Sequence, residues 1–230
     1  MKSIAIVQSN YIPWKGYFDI IGQVDAFMFL DDVQYTKRDW RNRNLIKTKK
    51  GLAWLSVPCN HKRDSLICDV SLVESNWQKS HFNKIYTSYN KAPYFKYLLP
   101  FLELVYLQQK WTNLSELNQF VIKKICKDFL QIETEFLDSR NYDSKEKKMF
   151  LILDLVKKVG AKNYLSGPAA KNYIVEEDFL KEGINVEWID YSYIKTYNQL
   201  YGSYEDNVTI IDLLVHTGPN AREYMLIKNI

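Results

Sequence analysis

Fourteen residues, DDVQYTKRDWRNRN from Asp31 to Asn44, hold three arginines, three aspartates, two asparagines, a glutamine and two aromatics, without glycine or proline. The planar fork of arginine suits phosphate, and a carboxylate beside it can orient that fork or bind an amine or a sugar hydroxyl. Arg41 and Arg43 are therefore candidate diphosphate ligands, with Gln34, Asn42 and Asn44 as amide partners. Interleaved arginines and aromatics also suit single-stranded nucleic acid. The aspartates nearly cancel the charge, however, and no second basic stretch extends the track, so a pocket for a compact anionic ligand fits better. A second stretch, QSNYIPWKGYF from Gln8 to Phe18, is complementary to the first. Pro13 fixes a backbone angle, Gly16 admits close approach, and Gln8, Asn10 and Lys15 offer amide and ammonium donors. Tyr11, Trp14 and Tyr17 offer flat faces on which a base or sugar ring can stack. The plainer reading of the same rings is a staple closing a helix onto a sheet.

Proton acceptors are few. His81 follows Trp77 by four residues in SNWQKSHFNK, so on a helix the two share a face. Histidine titrates near working pH without perturbation, which suits a general base, although a partly buried histidine satisfied by a neighbour reads equally well. Asp32 is the second candidate. Asp31 and Asp32 together could hold magnesium beside a phosphate, but adjacent strand residues point to opposite faces, so at most one is expected in the site. His61 and His216 lack comparable context, and without HxxH or CxxC spacing no dedicated zinc site is expected. Cys59 follows Pro58, with only His61 and Lys62 nearby in sequence to lower a thiol pKa. Ser166 and Gly167, in LSGPAAKNY, could present backbone N–H groups to a phosphate or oxyanion, without the full glycine spacing of a P-loop.

These residues need a scaffold. SIAIV at 3–7 reads as a buried strand, apolar residues recur at near-helical spacing from Gly16 to Val24, and Ala26 to Leu30 is a second apolar run. Strand, loop, helix and strand within about thirty residues make a βαβ unit, which builds parallel sheet. Both polar stretches leave strand C-termini, the edge where such sheets bind ligands, so they are expected to wall one site. After Lys49-Lys50-Gly51, LAWLSVPC reads as another strand. Residues 77–135 read as largely helical, with Thr112 or Asn113 as a cap and Glu116 three residues beyond Asn113. Phe136-Leu137 is a brief strand, DSKEKKMFLILDLVKKVG a helix capped at Asp143 or Ser144, NYLSG a strand, 175–182 a short helix, INVEWID a strand and TIIDLLVHTG a last helix. This order predicts α/β architecture, one domain over 1–230 with a central, mainly parallel, Rossmann-like sheet and a mainly helical insertion at about 77–135.

With 47% hydrophobic and 25% charged residues over 230, the chain is too apolar for intrinsic disorder and long enough to bury a sizeable core. A net charge of +4, spread along the chain, demands no polyanion of nucleic-acid length. Seventeen tyrosines and six tryptophans suit ligand grooves, or reflect AT-rich coding. Three cysteines without metal spacing favour free thiols, and neither a leader nor an apolar run of about twenty residues is present, so a cytoplasmic protein without a membrane span is expected.

The stretch from Gln8 to Lys47, with GLAWLSVPC, WQKSH, NKAPYF, NLSELNQFVI, GAKNYLSG with Tyr173, and TIIDLLVHTG, resembles the WbqC-like family of bacterial polysaccharide-cluster proteins. The resemblance implies O-antigen or surface-polysaccharide biosynthesis, with glycine transfer onto an amino sugar as one suggested activity. Cys59 departs from the aliphatic residue often found there, which weakens it as a nucleophile. The opening also looks loosely like the nucleotidyltransferase fold with its HxGH loop, but Trp14 and Tyr17 stand where that motif has histidines. The reading that follows is an aminoacyl or acyl transferase acting on a nucleotide-linked amino sugar. Tyr11, Trp14 and Tyr17 would stack on base or sugar, Lys15, Arg41 and Arg43 would hold the pyrophosphate, and His81 or Asp32 would take the amine proton. The alternative is a non-catalytic sugar-nucleotide binder or scaffold of the same pathway. No cofactor is identified by the sequence, the acyl donor is open among a carrier-protein thioester, an aminoacyl-tRNA and an adenylate formed in place, and the oligomeric state is equally open.

Overall fold

The computed structural model describes residues 2–192 and 195–227. The two opening apolar runs form β1 (Ser3–Val7) and β2 (Ala26–Phe29), joined by α1 (Lys15–Gly22) and paired in parallel from Ile4 with Ala26 to Val7 with Phe29. Unbroken apolar strands are what a sheet covered on both faces requires. In β2, Phe27 and Phe29 face one core and Ala26 and Met28 the other, as the twofold alternation of a strand dictates.

Beyond β2 the chain leaves the sheet. It first forms an antiparallel hairpin of β3 (Arg43–Thr48) and β4 (Gly51–Ser56), with Gly51 at φ +102° in the turn, and then a small pair, β5 (Cys59–Asn60) and β6 (Ser71–Leu72). Three helices follow: α2 (Trp77–Tyr89), α3 (Phe95–Glu103), which runs into a π-helical turn at Leu104–Gln108, and α4 (Leu114–Asp128). Asn113 caps α4 by accepting the Glu116 N–H at 3.0 Å, as its spacing predicts. The chain then returns to the sheet as β7 (Glu135–Asp138), α5 (Met149–Val159), β8 (Asn163–Ser166), α6 (Glu176–Lys181) and β9 (Asn185–Trp188), followed by α7 (Ile210–Thr217) and a 3-10 helix over Gly218–Tyr224.

The fold is α/β. Five parallel strands lie in the order β7-β2-β1-β8-β9, with α5 and α6 packed on one face and α1, α7 and the helical block on the other. In order of appearance within this sheet that is 3-2-1-4-5, the doubly wound arrangement that reverses between its first and fourth strands, β1 and β8.

Two elements differ from expectation. Arg43 and Asn44 are not loop but the start of β3, and the hairpin stands apart from the parallel sheet. Its inward alternation is masked in the sequence because one inward position is the polar Asn44. The last long helix starts at Met149, not at Asp143 or Ser144. Lys145, Lys147 and Lys148 would oppose the positive end of a helix dipole in its first turn, and Asp143 and Lys148 take φ values of 36° and 54° instead.

The segment before residue 228 docks on α1. Leu226 N–H donates to Asp19 Oδ1 at 2.6 Å, while Oδ2, fully buried, has no hydrogen-bond partner. Burial raises the Asp19 carboxyl to about 6, against the opposing pull of the Leu226 N–H and of Lys15. A carboxyl whose pKa is higher in the folded than in the unfolded chain adds stability at low pH, and this is lost as pH rises through about 6. Asp19→Asn is therefore expected to raise stability at pH 8 by on the order of 2–3 kcal/mol and to change little at pH 4, measured by urea denaturation at both values. Equal effects at the two pH values would contradict it.

Candidate functional site

The loop from Gln8 to Trp14 is fixed by buried polar groups. Ser9 N–H donates to Asp31 Oδ1 at 2.8 Å, and Asp31 Oδ2 accepts from the Ser115 hydroxyl and, at 3.2 Å, from Gln119 Nε2. Asp31, fully buried, thus ties the ends of β1 and β2 to α4. Asn44 Nδ2 donates to the carbonyls of Tyr11, at 3.1 Å, and Ile12, at 2.8 Å. Between them Ile12 has φ +36°, which for a β-branched residue costs on the order of 1–3 kcal/mol and requires such an external clamp.

This turn aims Asn10, Pro13 and Trp14 into a cavity of about 250 Å³ whose other walls are Trp40, Asn44 and Asn207. A β-carbon on Gly16 would lie 2.4 Å from the Trp14 ring, so the indole occupies space that only glycine leaves open. Tyr191 packs against Trp14 at 4.9 Å and donates its hydroxyl to the Gly16 carbonyl at 3.1 Å. Arg41 Nη1 donates to Asn10 Oδ1 at 2.5 Å, and its guanidinium pairs with Asp39 at 3.2 Å. Trp54 lies 5.7 Å from Trp40, both about two-fifths exposed, with Arg43 stacked 4.1 Å from the Trp54 centroid. The Nε atoms of Arg41 and Arg43 are buried without a partner. Among the described residues, no protein acceptor meets the indole N–H of Trp14 or Trp40, and the Asn207 carboxamide makes no protein hydrogen bond. Rings, unspent N–H donors and amides with both donor and acceptor capacity suit a neutral, hydroxyl-bearing ring. No side chain lining the cavity titrates near neutrality.

The far wall is held by a buried network that sequence reasoning missed. Asp212 on α7 accepts from the hydroxyls of Tyr89 and Tyr197 and from Gln199 Nε2, each at 2.9 Å. His216 Nε2 accepts the Leu200 N–H at 3.0 Å, and Lys47 Nζ donates to Gln199 Oε1 at 2.7 Å. The segment carrying Asn207 is thereby tied to α7 and β3.

The residues expected to share one site separate into groups. Asn10, Trp14 and Asn44 line the cavity; Arg41 is bonded to Asn10, and Arg43 stacks on Trp54, the neighbour of the lining residue Trp40. Gln8 lines a different cavity, and Ser166 and Gly167 lie at the end of β8. Lys15 lines neither cavity: its ammonium is buried against the Lys195 carbonyl and the Tyr204 hydroxyl, both at 2.8 Å, and burial lowers its pKa. Tyr11 and Tyr17 are buried, the latter packed edge-on against Phe27. Asn42 donates to the Val57 carbonyl and Gln34 to the Arg63 carbonyl. Asp32 accepts from the Ser139 hydroxyl at 2.5 Å. Cys59 is no activated thiol, since burial pushes it up to about 11.

Of the two readings of His81, the structure shows the buried histidine satisfied by a neighbour. It shares a helix face with Trp77, with ring centroids 5.3 Å apart, but it is sealed within the core. Its Nδ1 lies 2.8 Å from the Tyr11 hydroxyl, which lies 2.7 Å from that of Tyr106. Burial, then Lys84, pushes the imidazole down to about 4 against a hydrogen bond to the Ser56 backbone. An open general base at His81 is thus replaced by a neutral ring that anchors Tyr11. Trp40 and Asn207 were missed: Trp40 carried no signal beyond its setting, and Asn207 lies in SYEDNV, remote in the chain from every motif.

A family model of WbqC-like proteins matches residues 8–224, nearly the whole chain. The chain belongs to the WbqC-like family. Among curated proteins it is similar to one from Mycobacterium tuberculosis, strain ATCC 25618 / H37Rv, described as the uncharacterized protein Rv1507c, with 41% identity over 227 residues covering 98% of each chain. No solved structure matches.

Two outcomes follow from this WbqC-like geometry. A histidine whose pKa falls on folding adds stability above its unfolded value near 6.5, and this is lost as pH drops toward about 4. His81→Gln should therefore show an acid-side loss between pH 7 and 5 smaller than wild type by about 2 kcal/mol in urea titrations. Asp19 acts in the opposite sense over the same window, so the readout is the difference between variant and wild type. Gly16→Ala would ordinarily stabilise a helix by roughly 0.5–1 kcal/mol. At this position it should instead lower the melting temperature and shift tryptophan emission, because the Trp14 ring must move; a rise in melting temperature would refute the packing.

Proposed function

We propose that the chain binds a nucleotide-linked amino sugar in the Trp14–Trp40 cavity and joins an activated acyl group, glycyl in the simplest case, to the sugar amine during O-antigen or surface-polysaccharide assembly. The observation that carries the reading is the pair of indoles and the carboxamides around a cavity of about 250 Å³, below the size of a drug-sized pocket and matched to a single ring. Arg43 on Trp54, next to Trp40, offers a cation and a stacking surface for the diphosphate and base that trail outside. In the reaction the neutral amine attacks the acyl carbonyl carbon and the C–N bond forms. The bond to the leaving group, a thiolate, a tRNA ribose oxygen or AMP, breaks with its electron pair, and the amine proton passes to solvent or to the leaving group. Membership of the WbqC-like family supports the pathway. No helix of the described residues is long and apolar enough to cross a membrane, and the three cysteines are free thiols; both agree with a cytoplasmic setting.

The neutral wall also favours a second reading, a sugar-nucleotide binder without catalysis, since no lining group can take a proton. Tryptophan fluorescence titration with UDP-linked amino sugars, followed by mass spectrometry with glycyl and acyl donors, separates the two. Trp14→Ala and Trp40→Ala are each expected to weaken sugar-nucleotide binding at least about tenfold, or 1.4 kcal/mol. Binding with an added acyl mass supports the transferase, binding without any product supports the binder, and absence of binding overturns both.

A further inference from the structure

We propose that the crevice beyond the carboxyl ends of β1, β2 and β8 is a second ligand site, for a molecule with an apolar or aromatic body that carries a phosphate. A cavity of about 460 Å³ opens there, lined among others by Gln8, Leu30, Val33, Phe150 and Tyr173. Each belongs to a connection leaving the same sheet edge: Gln8 follows β1, Leu30 and Val33 follow β2, Phe150 is on the helix after β7, and Tyr173 follows β8. The strand order reverses between β1 and β8, and in open parallel sheets the ligand crevice lies at such a reversal. The Trp14–Trp40 cavity lies off this axis, against the β3–β4 hairpin and the segment carrying Asn207, so the crevice is not accounted for by it.

The chemistry of the walls selects the ligand. The floor is aliphatic, with Leu30 buried, while Phe150 and Tyr173 stand at the lip more than half exposed, an uneconomical position for large rings on a free surface. Lys147 and Lys148 also line the cavity. Unlike Lys145, paired with Asp143, and Lys158, paired with Asp154, neither forms an ion pair among the described residues. Two uncompensated ammonium groups beside an apolar trough call for an anion on an apolar body. A phosphopantetheine arm and a purine nucleotide share that chemistry. The crevice is also well placed for a second substrate: Gln8 and Asn10, which line the two cavities, are two residues apart, at most about 7 Å of extended chain. The proposal rests on this geometry alone and stands whether or not the first cavity takes a sugar nucleotide.

Isothermal titration calorimetry of the full chain with coenzyme A, ADP and inorganic phosphate tests it. Wild type should bind coenzyme A or ADP, and both the Lys147→Ala/Lys148→Ala double variant and Phe150→Ala should lose at least tenfold in affinity while circular dichroism stays unchanged. Trp14→Ala should leave these affinities as they are, which separates this site from the first. Coenzyme A bound more tightly than ADP assigns the crevice to a pantetheine arm, and equal affinities assign it to the nucleotide. The proposal is overturned if neither binds at millimolar concentration, or if the lysine and phenylalanine variants bind as wild type does.

Discussion

Ile12 adopts a backbone conformation that an isolated β-branched residue avoids, and it is kept there by one carboxamide, Asn44, which donates to the carbonyls of the peptides on either side of the Ile12 Cα. The near wall of the first cavity depends on this clamp. Pro13 and Trp14 follow directly, and Trp14 can lie flat only because position 16 has no side chain. The strain is offset by burial as well as by hydrogen bonds: Tyr11 is fully enclosed, with its hydroxyl between His81 and Tyr106, so the turn cannot relax without opening the core.

The same logic extends outward from the turn. Charged and polar side chains, not apolar contacts alone, set the relative positions of the sheet edge, the hairpin and the helical block. Asp31 links two strand ends to α4, Asn118 Nδ2 donates to the Arg41 carbonyl, and Asp212 gathers donors from α2 and from the segment before α7. Buried hydrogen-bonded networks of this kind are costly to leave partly satisfied, and a one-residue shift would orphan several groups at once. They specify position where apolar packing would tolerate sliding.

What the sequence disclosed follows from these forces. β1, β2 and α4 were legible because continuous apolar runs and a capping asparagine report burial and helix entry locally. That the loops after β1 and β2 share an edge followed from parallel pairing alone. β3 was hidden because Asn44 occupies an inward position for hydrogen bonding. His81 was read correctly as the neighbour of Trp77, but whether an imidazole faces solvent or core depends on what packs over its helix, which here is Tyr11 from seventy residues earlier. Asn207 could not be found at all: its place at the cavity is set by Asp212, Gln199 and Lys47, through contacts that cross most of the chain.

The Trp14–Trp40 cavity draws one wall from the loop that follows β1 and another from the segment just before α7. A molecule seated between Trp14 and Asn207 would act as a clasp between segments far apart in the sequence, linking occupancy to resistance against their separation.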